Sequence, residues 1–266
     1  MSSIPRHIIS SLRYDPSLPH SLQSLPPTSY PDPLRSPYYL LPYHQDRLRD
    51  AAKCFQWPEA QHFLQQDLTQ FAQFLDKFIP DNTQPWRLRI LIDRSGTCTV
   101  EANPTTAIDL RTLLLPLPPT HDSQSNPWRV YIDSETTTPS ALTTHKTTAR
   151  DCYTAARLRS GIVSPQDPAE VLVVNPSGEI MEGSITTPYF QRRGRRQDTD
   201  PAWVTPVLTS GGNSGTTRRY ALGQGFCAED IILASDLADG EECWLSNGVR
   251  GFIRGQVVLS ARTSTS

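Results

Sequence analysis

The stretch PEAQHFLQQDLTQFAQFLDKFI restricts the possible fold more than any other part of the sequence. Its apolar residues recur every three or four positions, and it opens on a proline, which the first turn of a helix accepts. The pattern predicts one amphipathic helix over Pro58–Ile79. Elsewhere the apolar residues fall in short runs, which are typical of strands. The chain is therefore predicted to have a mixed α+β fold. The apolar stripe consists of Phe63, Leu64, Leu68, Phe71, Phe74, Leu75 and Phe78.

Strands and shorter helices are predicted on both sides of this helix from residue periodicity and turn signals. A hairpin is predicted around Asp93–Gly96. Two more strands are predicted in the closing segment ECWLSNGVRGFIRGQVVLS, and a helix after the glycine-rich SGGNSG. The other predicted strands are His7–Asp15, Pro37–Tyr43, Trp128–Ser134, Glu170–Asn175, Glu179–Glu182, Thr187–Arg192 and Ala202–Pro206. The other predicted helices are His44–Phe55 and Ala149–Arg159, the second of which is stopped by Gly161.

A polar stretch over Pro116–Pro127 is the predicted boundary between two lobes. The smaller N-terminal α+β lobe is expected to span residues 1–120. The larger C-terminal lobe is expected to span residues 121–266. The proline-rich segment between Pro16 and Pro42 is predicted to be an irregular connection.

Composition excludes several classes of protein. The 266 residues contain no run of about 18 apolar residues, so no transmembrane helix is expected. The first residues lack the pattern of a signal peptide, and the five cysteines form no CxxC pair, so we expect a cytoplasmic protein without a zinc site or a disulfide framework. The formal net charge of −2 argues against a nucleic-acid partner, and the basic segment QRRGRRQ (191–197) is predicted to be a solvated hairpin tip.

The segment LTTHKTTARDCYTAAR holds a single lysine, Lys146, between threonine pairs and just before a predicted helix. Lys146 is either a solvated charge, as most lysines are, or an amine held rigid and partly desolvated so that it forms a Schiff base with a cofactor. His145 is either a second acid–base group or a residue that only orients nearby groups or packs. Glu182, in GEIMEGSITTPYF, is either a solvated strand-end carboxylate or the partner that keeps a pyridine nitrogen protonated.

Three further segments carry groups that suit a phosphate. The glycine-rich loop in SGGNSGTTRRYAL is either an ordinary loop or one that leaves the backbone N–H groups of Thr216 and Thr217 free for an anion. Arg47 is either a solvated helix residue or a phosphate partner. Ser246 and Asn247, in WLSNGVRG, are hydrogen-bonding groups at the end of a strand.

These segments have an informative order along the chain. The chain carries HQDRL at 44–48, then Lys146, then MEGSITT at 181–187 and GTTR at 215–218. This series resembles the fold-type IV pyridoxal-phosphate enzymes, the class IV aminotransferase family. That family shows an H-x-x-R-L helix, a lysine, a strand like T-E-G-S-x-S-N and a G-x-T-R helix start. Within the family, HKTT, GGNSGTTRR and LSNGVRG most resemble the fungal 4-amino-4-deoxychorismate lyase branch.

The resemblance implies a two-lobe fold like that of D-amino acid aminotransferase, with pyridoxal 5′-phosphate as cofactor. Lys146 is then the Schiff-base and acid–base lysine, and Glu182 faces the pyridine nitrogen. The residues implied to hold the phosphate are Arg47, Thr216, Thr217, Ser246 and Asn247. Ser11 and Arg13 are substrate-contact candidates, because the opening strand resembles one that lines the substrate side of the pocket.

The activity implied by the resemblance is the conversion of 4-amino-4-deoxychorismate to 4-aminobenzoate and pyruvate, a step in making a folate precursor, by a homodimer. Two alternatives stay open. The first is a transaminase acting on a D-amino acid, a branched-chain amino acid or an amine. The second is a non-catalytic module of the same fold.

Overall fold

Eleven strands form two sheets in the described part of the chain. The structure, a computed structural model, describes residues 4–26, 29–117, 126–164, 166–192 and 201–259. The strands are β1 (Ile8–Tyr14), β2 (Trp86–Ile92), β3 (Cys98–Pro104), β4 (Trp128–Thr136), β5 (Ala169–Val174), β6 (Ile180–Gly183), β7 (Thr187–Gln191), β8 (Trp203–Pro206), β9 (Cys227–Asp230), β10 (Glu242–Asn247) and β11 (Gly251–Val257).

Eight α-helices accompany the two sheets in the described residues, so the predicted α+β fold class is confirmed. No helix of the described residues is both long and apolar enough to cross a membrane. The helices are α1 (Leu18–Leu22), α2 (Leu41–Cys54), α3 (Pro58–Leu64), α4 (Leu68–Asp76), α5 (Arg111–Leu114), α6 (Ala141–Thr144), α7 (Asp151–Arg159) and α8 (Thr216–Gly223).

The smaller sheet is antiparallel in the order β1-β2-β3. Its register runs from Ile8 opposite Ile92 to Tyr14 opposite Trp86. The predicted hairpin between β2 and β3 is confirmed. The even-numbered apolar residues of β1 and β2 pack against α2, α3 and α4, as the alternating pattern of a half-buried sheet requires.

The larger sheet has eight strands in the order β6-β5-β4-β11-β10-β7-β8-β9. The residues after β9 return to β6, because the N–H of Ile180 donates to the carbonyl of Ile232 at 2.8 Å. The sheet therefore curls until its two ends meet. Sequence periodicity missed β9, a four-residue strand whose last three residues are not buried.

The predicted single helix over Pro58–Ile79 is wrong, because two helices occupy that stretch. Asp67 accepts the N–H of Gln70 at 2.8 Å, and the Gln70 side chain accepts the N–H of Asp67 at 3.1 Å. This capping box satisfies the backbone at a new helix start and so stabilises the break. The predicted apolar stripe does face the core, since Leu64, Phe71 and Leu75 are all buried there.

The predicted strand over Pro37–Tyr43 is also wrong. Only an isolated bridge between Tyr14 and Tyr38 occurs there, and α2 begins at Leu41. Leu40 has a left-handed φ of 54° at the helix start, which turns the chain away from an extended path. The proline at the second helical position has no N–H to satisfy, so it suits a helix start.

Two other predictions fall wholly or partly outside the described residues. The lobe boundary at residue 120 lies in the gap at 118–125, and most of the basic segment 191–197 lies in the gap at 193–200. The division into two lobes therefore stays a prediction.

The two sheets meet along the free edge of β1. The N–H of Ile9 donates to the carbonyl of Lys146 at 2.9 Å, and the N–H of Arg13 donates to the carbonyl of Gly248 at 2.9 Å. β1 therefore holds the Lys146 segment and the turn between β10 and β11 side by side. The candidate site lies at this junction.

Candidate active site

Lys146 follows the short helix α6, whose start is fixed by a capping box between Ser140 and Thr143. Its backbone pairs with β1, and Thr147 forms a bridge with Ile8. The lysine therefore sits on a segment fixed at both ends, and its side chain is partly buried.

The amine of Lys146 lies among cationic groups. Burial lowers the pKa of Lys146 well below its usual value, and the charges of Arg150 and Arg47 lower it further. Glu182 acts in the opposite direction. The net effect favours the neutral form of the amine, which a nucleophilic lysine needs.

Glu182, on β6, is the carboxylate that interacts with this amine. Its Oε1 accepts the hydroxyl hydrogen of Tyr153 on α7. Burial raises the pKa of the Glu182 carboxyl, while Tyr153, Arg150 and Lys146 oppose the rise. The backbone N–H of Asn213 also donates to it. The predicted pair of Lys146 and Glu182 is thus brought together from two distant parts of the chain.

Arg47, on α2, carries a donor that has no acceptor among the described residues. One terminal nitrogen of the guanidinium donates to the Ser10 hydroxyl at 2.6 Å. Its Nε is buried, and no described residue forms a hydrogen bond with it. Burial lowers the pKa of Arg47 to about 10, so the group stays cationic at neutral pH. An unpaired buried donor on a cation suits an anionic ligand.

Thr216 and Thr217 are the first two residues of α8, and both are buried. N–H groups in the first turn of a helix have no partner within the helix. Gly215 precedes them as the N-cap, and a Cβ there would lie 2.7 Å from the Thr187 hydroxyl. The loop before α8 therefore packs closely against β7. Helix α8 also contacts α2, which carries Arg47.

The hydroxyl of Ser246 shares a hydrogen bond of 2.7 Å with Tyr189. Asn247 uses its side-chain oxygen to accept the N–H groups of Val249 and Arg250 at 3.0 and 2.9 Å. The Asn247 oxygen therefore shapes the turn. Its role toward a phosphate stays a prediction, as does that of Ser246.

The two substrate candidates on β1 differ in their surroundings. Arg13 is buried, with its Nε donating to Asp15 at 2.9 Å and a terminal nitrogen donating to the carbonyl of Thr106 at 3.0 Å. These contacts occupy the Arg13 guanidinium. Ser11 is partly buried on the same face of the strand.

His145 packs its ring edge-on against Phe55, with 5.9 Å between the ring centres. Burial lowers its pKa. This contact agrees with the packing interpretation of His145, and its function toward Lys146 stays a prediction.

Sequence reasoning gave no site role to Arg150, Tyr153, His44 or Ser10. Arg150 stacks over the Tyr153 ring, with 4.2 Å from its Cζ to the ring centre, and also donates to the Ser184 carbonyl. Arg150 and Tyr153 could have been suspected only from their position, because both lie on the predicted helix that follows Lys146. No local pattern pointed to Ser10.

Two further arginines, Arg87 and Arg250, have guanidinium groups without an ion pair among the described residues, and the charge of Arg87 reaches Lys146. Neither Arg87 nor Arg250 forms a side-chain hydrogen bond or an ion pair with any residue that the structure describes. Burial and then the charge of Arg87 lower the pKa of Arg250, and Arg87 also contributes to the lowered pKa of Lys146. Arg250 stacks over Trp128, 5.3 Å from its ring centre. The backbone of Arg13 connects the two segments. Arg13 pairs with Arg87 between β1 and β2, and its N–H donates to the carbonyl of Gly248, in the turn that leads to Arg250.

Replacing Gly212 by alanine should disturb the loop that supports Glu182. A Cβ at this position would lie 2.2 Å from the Met181 carbonyl oxygen, so backbone must move. We expect the free energy of unfolding to fall by about 1–3 kcal/mol, as measured by urea denaturation. Gly223→Ala is the control, because a Cβ there meets no atom within 4 Å. Equal stability of both variants would contradict the proposed close packing.

Solved structures support the fold. A 4-amino-4-deoxychorismate lyase from Pseudomonas aeruginosa matches with a TM-score of 0.59 and 17% identity, over 95% of this chain and 83% of that one. A branched-chain amino acid aminotransferase from Escherichia coli matches with a TM-score of 0.60 and 16% identity, over 95% of this chain and 77% of that one. At these identities the likeness concerns the fold alone, and it confirms the predicted fold class.

Sequence comparison is more specific. A Saccharomyces cerevisiae protein named aminodeoxychorismate lyase is 33% identical over 214 residues, which make up 71% of this chain and 56% of the yeast protein. The chain therefore spans little more than half the length of that relative. Residues 35–257 match the family described as amino-transferase class IV, and this range includes the helix of Arg47, the Lys146 segment and the start of α8. The chain belongs to the class IV aminotransferase family.

Proposed function

We propose that this chain is a pyridoxal 5′-phosphate-dependent lyase that converts 4-amino-4-deoxychorismate to 4-aminobenzoate and pyruvate. The observation that carries the proposal is the partly buried Lys146 amine, which interacts with Glu182 and is surrounded by guanidinium groups. Membership of the class IV aminotransferase family and the name of the yeast relative support the same reaction.

The chemistry of the donors fits this cofactor. Arg47 offers a cation whose Nε is unpaired among the described residues, and the first turn of α8, with Thr216 and Thr217, offers free N–H groups, as a phosphate requires. Lys146 supplies a primary amine with a lowered pKa, and Glu182 supplies a carboxylate. Ser246 and Asn247 complete the proposed set on the β10 side.

When bound, pyridoxal phosphate supplies an aldehyde that joins to primary amines and a ring that withdraws electrons from the adjacent carbon. The Nζ of Lys146 is the base that removes the proton from the amine-bearing carbon of the substrate. The same Nζ then returns a proton to the departing enolpyruvate, which becomes pyruvate. Glu182 keeps a negative charge where a protonated ring nitrogen needs one. Because the substrate ring becomes aromatic, no amino acceptor is required.

The lowered pKa of Lys146 leads to a pH prediction. A lysine with a lowered pKa loses its proton at a lower pH than an ordinary lysine, whose pKa is about 10.4. More of the Lys146 amine is then neutral near neutral pH, so cofactor uptake by the cofactor-free protein should be fast there. Arg150 is the largest charge contributor to this depression. Arg150→Met should therefore raise the pKa of Lys146 and move the acid limb of the uptake rate to higher pH. An unchanged profile in stopped-flow absorbance would contradict the charge argument.

The proposed substrate carries two carboxylates, and Arg87 and Arg250 are suited to them. Replacing Arg250 by glutamine should raise the KM about 10- to 100-fold, which corresponds to about 1.5–3 kcal/mol for a hydrogen bond to a charged group. The kcat should change little, since the contact exists before the reaction. Arg87→Gln should behave alike.

Steady-state release of 4-aminobenzoate measures this effect. Arg94→Gln, at the exposed turn between β2 and β3, is the matched control and should keep the original KM. A normal KM in both the Arg87 and Arg250 variants would argue against their contact with the substrate.

The function itself is tested by mixing the purified protein with cofactor and 4-amino-4-deoxychorismate in the absence of any keto acid. The proposal expects a visible absorbance band from lysine-bound cofactor, and release of 4-aminobenzoate and pyruvate in equal amounts. A band that bleaches with an amino acid or an amine, with no 4-aminobenzoate, would favour a transaminase. Absence of the band at saturating cofactor would favour a non-catalytic module.

We also propose that the active protein is a cytoplasmic homodimer that makes a folate precursor. Family resemblance is the support for the dimer. Light scattering during gel filtration should give twice the mass of one chain, and a fluorescent fusion should be distributed through the cytoplasm. A monomer with full activity would contradict the first of these statements.

A further inference from the structure

His44 lies directly behind the residues proposed to hold the phosphate, and no role has been given to it so far. Its side chain is fully buried, and both ring nitrogens have partners. Nδ1 lies 2.7 Å from the Ser10 hydroxyl, and Nε2 lies 3.3 Å from the Thr216 hydroxyl. A Cβ on Gly248 would lie 2.6 Å from the ring, so the ring is held tightly. His44 thus connects β1, α2 and α8.

The direction of each hydrogen in this chain of contacts can be derived. Arg47 has only donors, so the Ser10 oxygen accepts its N–H at 2.6 Å. The same terminal nitrogen of Arg47 lies 3.4 Å from Nδ1 of His44, so Nδ1 also accepts and the hydrogen of the Ser10 hydroxyl can point to it. Burial, followed by the charges of Arg47 and Lys146, lowers the pKa of His44 well below its usual value, so the ring is neutral. A neutral ring that accepts at Nδ1 carries its hydrogen on Nε2.

The consequence falls on Thr216. Because Nε2 carries the hydrogen, the Thr216 oxygen accepts, and its own hydroxyl hydrogen points to another partner. Thr216 is also the first residue of α8, where an anion would meet the helix N-terminus. At the other end of the chain of contacts, the Nε of Arg47 has no partner among the described residues. The chain of hydrogen bonds thus leaves one donor without a partner in the chain at each end, the Thr216 hydroxyl and the Arg47 Nε.

We infer that His44, acting through Ser10 and Thr216, is the positioning residue that aligns Arg47 and the Thr216 hydroxyl as donors to the phosphate of the cofactor. The inference rests on the cofactor part of the proposed function. It concerns a second layer of residues, which touch the phosphate-binding groups and not the phosphate. The alternative is that His44 is a buried residue that only fills space.

Binding of pyridoxal 5′-phosphate and of pyridoxal, which lacks the phosphate, separates these two roles. We would measure the Kd of both ligands for the cofactor-free protein and for His44→Phe, His44→Gln and Ser10→Ala. We expect His44→Phe and Ser10→Ala to raise the Kd for pyridoxal 5′-phosphate about tenfold, the size of a lost hydrogen bond in a charged network. The Kd for pyridoxal should stay within about twofold. His44→Gln keeps a side-chain N–H and should recover part of the affinity.

Control variants separate an effect on phosphate binding from a general loss of stability. His62→Gln alters an exposed histidine on α3 and should change neither Kd. Thr216→Val combined with His44→Phe should weaken phosphate binding less than the sum of the single effects, because both act on one chain of hydrogen bonds. Ser10→Ala removes a single oxygen and provides the test if His44→Phe does not fold.

Equal weakening of both ligands, or no change in either, would overturn the inference. Failure of the original protein to bind pyridoxal 5′-phosphate would overturn it together with the cofactor proposal. A protein that binds the cofactor as expected but releases no 4-aminobenzoate would contradict only the proposed lyase reaction.

Discussion

Replacing Lys146 by alanine should lower the release of 4-aminobenzoate by about 10⁴-fold, the upper end of the effect of a positioned acid–base group. The variant loses the proposed attachment point of the cofactor and the only proton carrier assigned to the reaction. Lys77→Ala, at the exposed end of α4, is the matched control and should keep full activity.

Chemical trapping gives an independent measurement of the same prediction. The chain has three lysines, Lys53, Lys77 and Lys146, so borohydride reduction and peptide mass analysis can assign the modified residue unambiguously. We expect the cofactor mass on Lys146 alone. A cofactor adduct on another lysine, or an active Lys146→Ala protein, would contradict the assignment.

Replacing Glu182 by glutamine should lower kcat by about 10²- to 10³-fold, the usual effect of removing one preorganised electrostatic partner. The amide has nearly the shape of the carboxylate but carries no charge, so it no longer favours a protonated ring nitrogen. The hydrogen bond from Tyr153 can persist, since the amide oxygen still accepts. The fold should therefore be kept and the KM should change little.

Initial rates at saturating cofactor and substrate measure the effect of Glu182→Gln. Glu59→Gln, on the exposed face of α3, removes a carboxylate elsewhere and should have no effect. A Glu182→Gln protein with full kcat would show that the charge has no part in the reaction. Such a result would leave Lys146 as the only catalytic residue supported by experiment.

Local patterns in the sequence were sufficient for much of the fold. The alternation in β1, the hairpin of β2 and β3, and the glycine stop after α7 are each properties of residues close together in the chain. Such signals fail where a short-range contact competes with periodicity. The capping box at Asp67 split a continuous apolar stripe into two helices, and the left-handed Leu40 turned a strand-like run into the start of α2.

The site shows the same division. The motifs around Lys146, Glu182 and Thr216 were found from the sequence because their order along the chain resembles that of a known family. The hydroxyl of Ser10 and the ring of His44 were missed as site residues, since a serine in a strand and a histidine on a helix have many ordinary uses. Their importance depends on contacts across 34 and 172 residues of sequence.

The sequence by itself determined the family and most of the strands and helices, and it predicted the residues proposed to carry the chemistry, because these depend on side-chain type and local spacing. Tertiary structure alone decided how those residues act on one another. Pairing of β1 with the Lys146 segment and with Gly248 brings distant groups to one junction. Burial there lowers the pKa of Lys146 and leaves the Arg47 Nε without a partner among the described residues. These properties arise from desolvation and from charges close in space, which spacing along a chain does not encode.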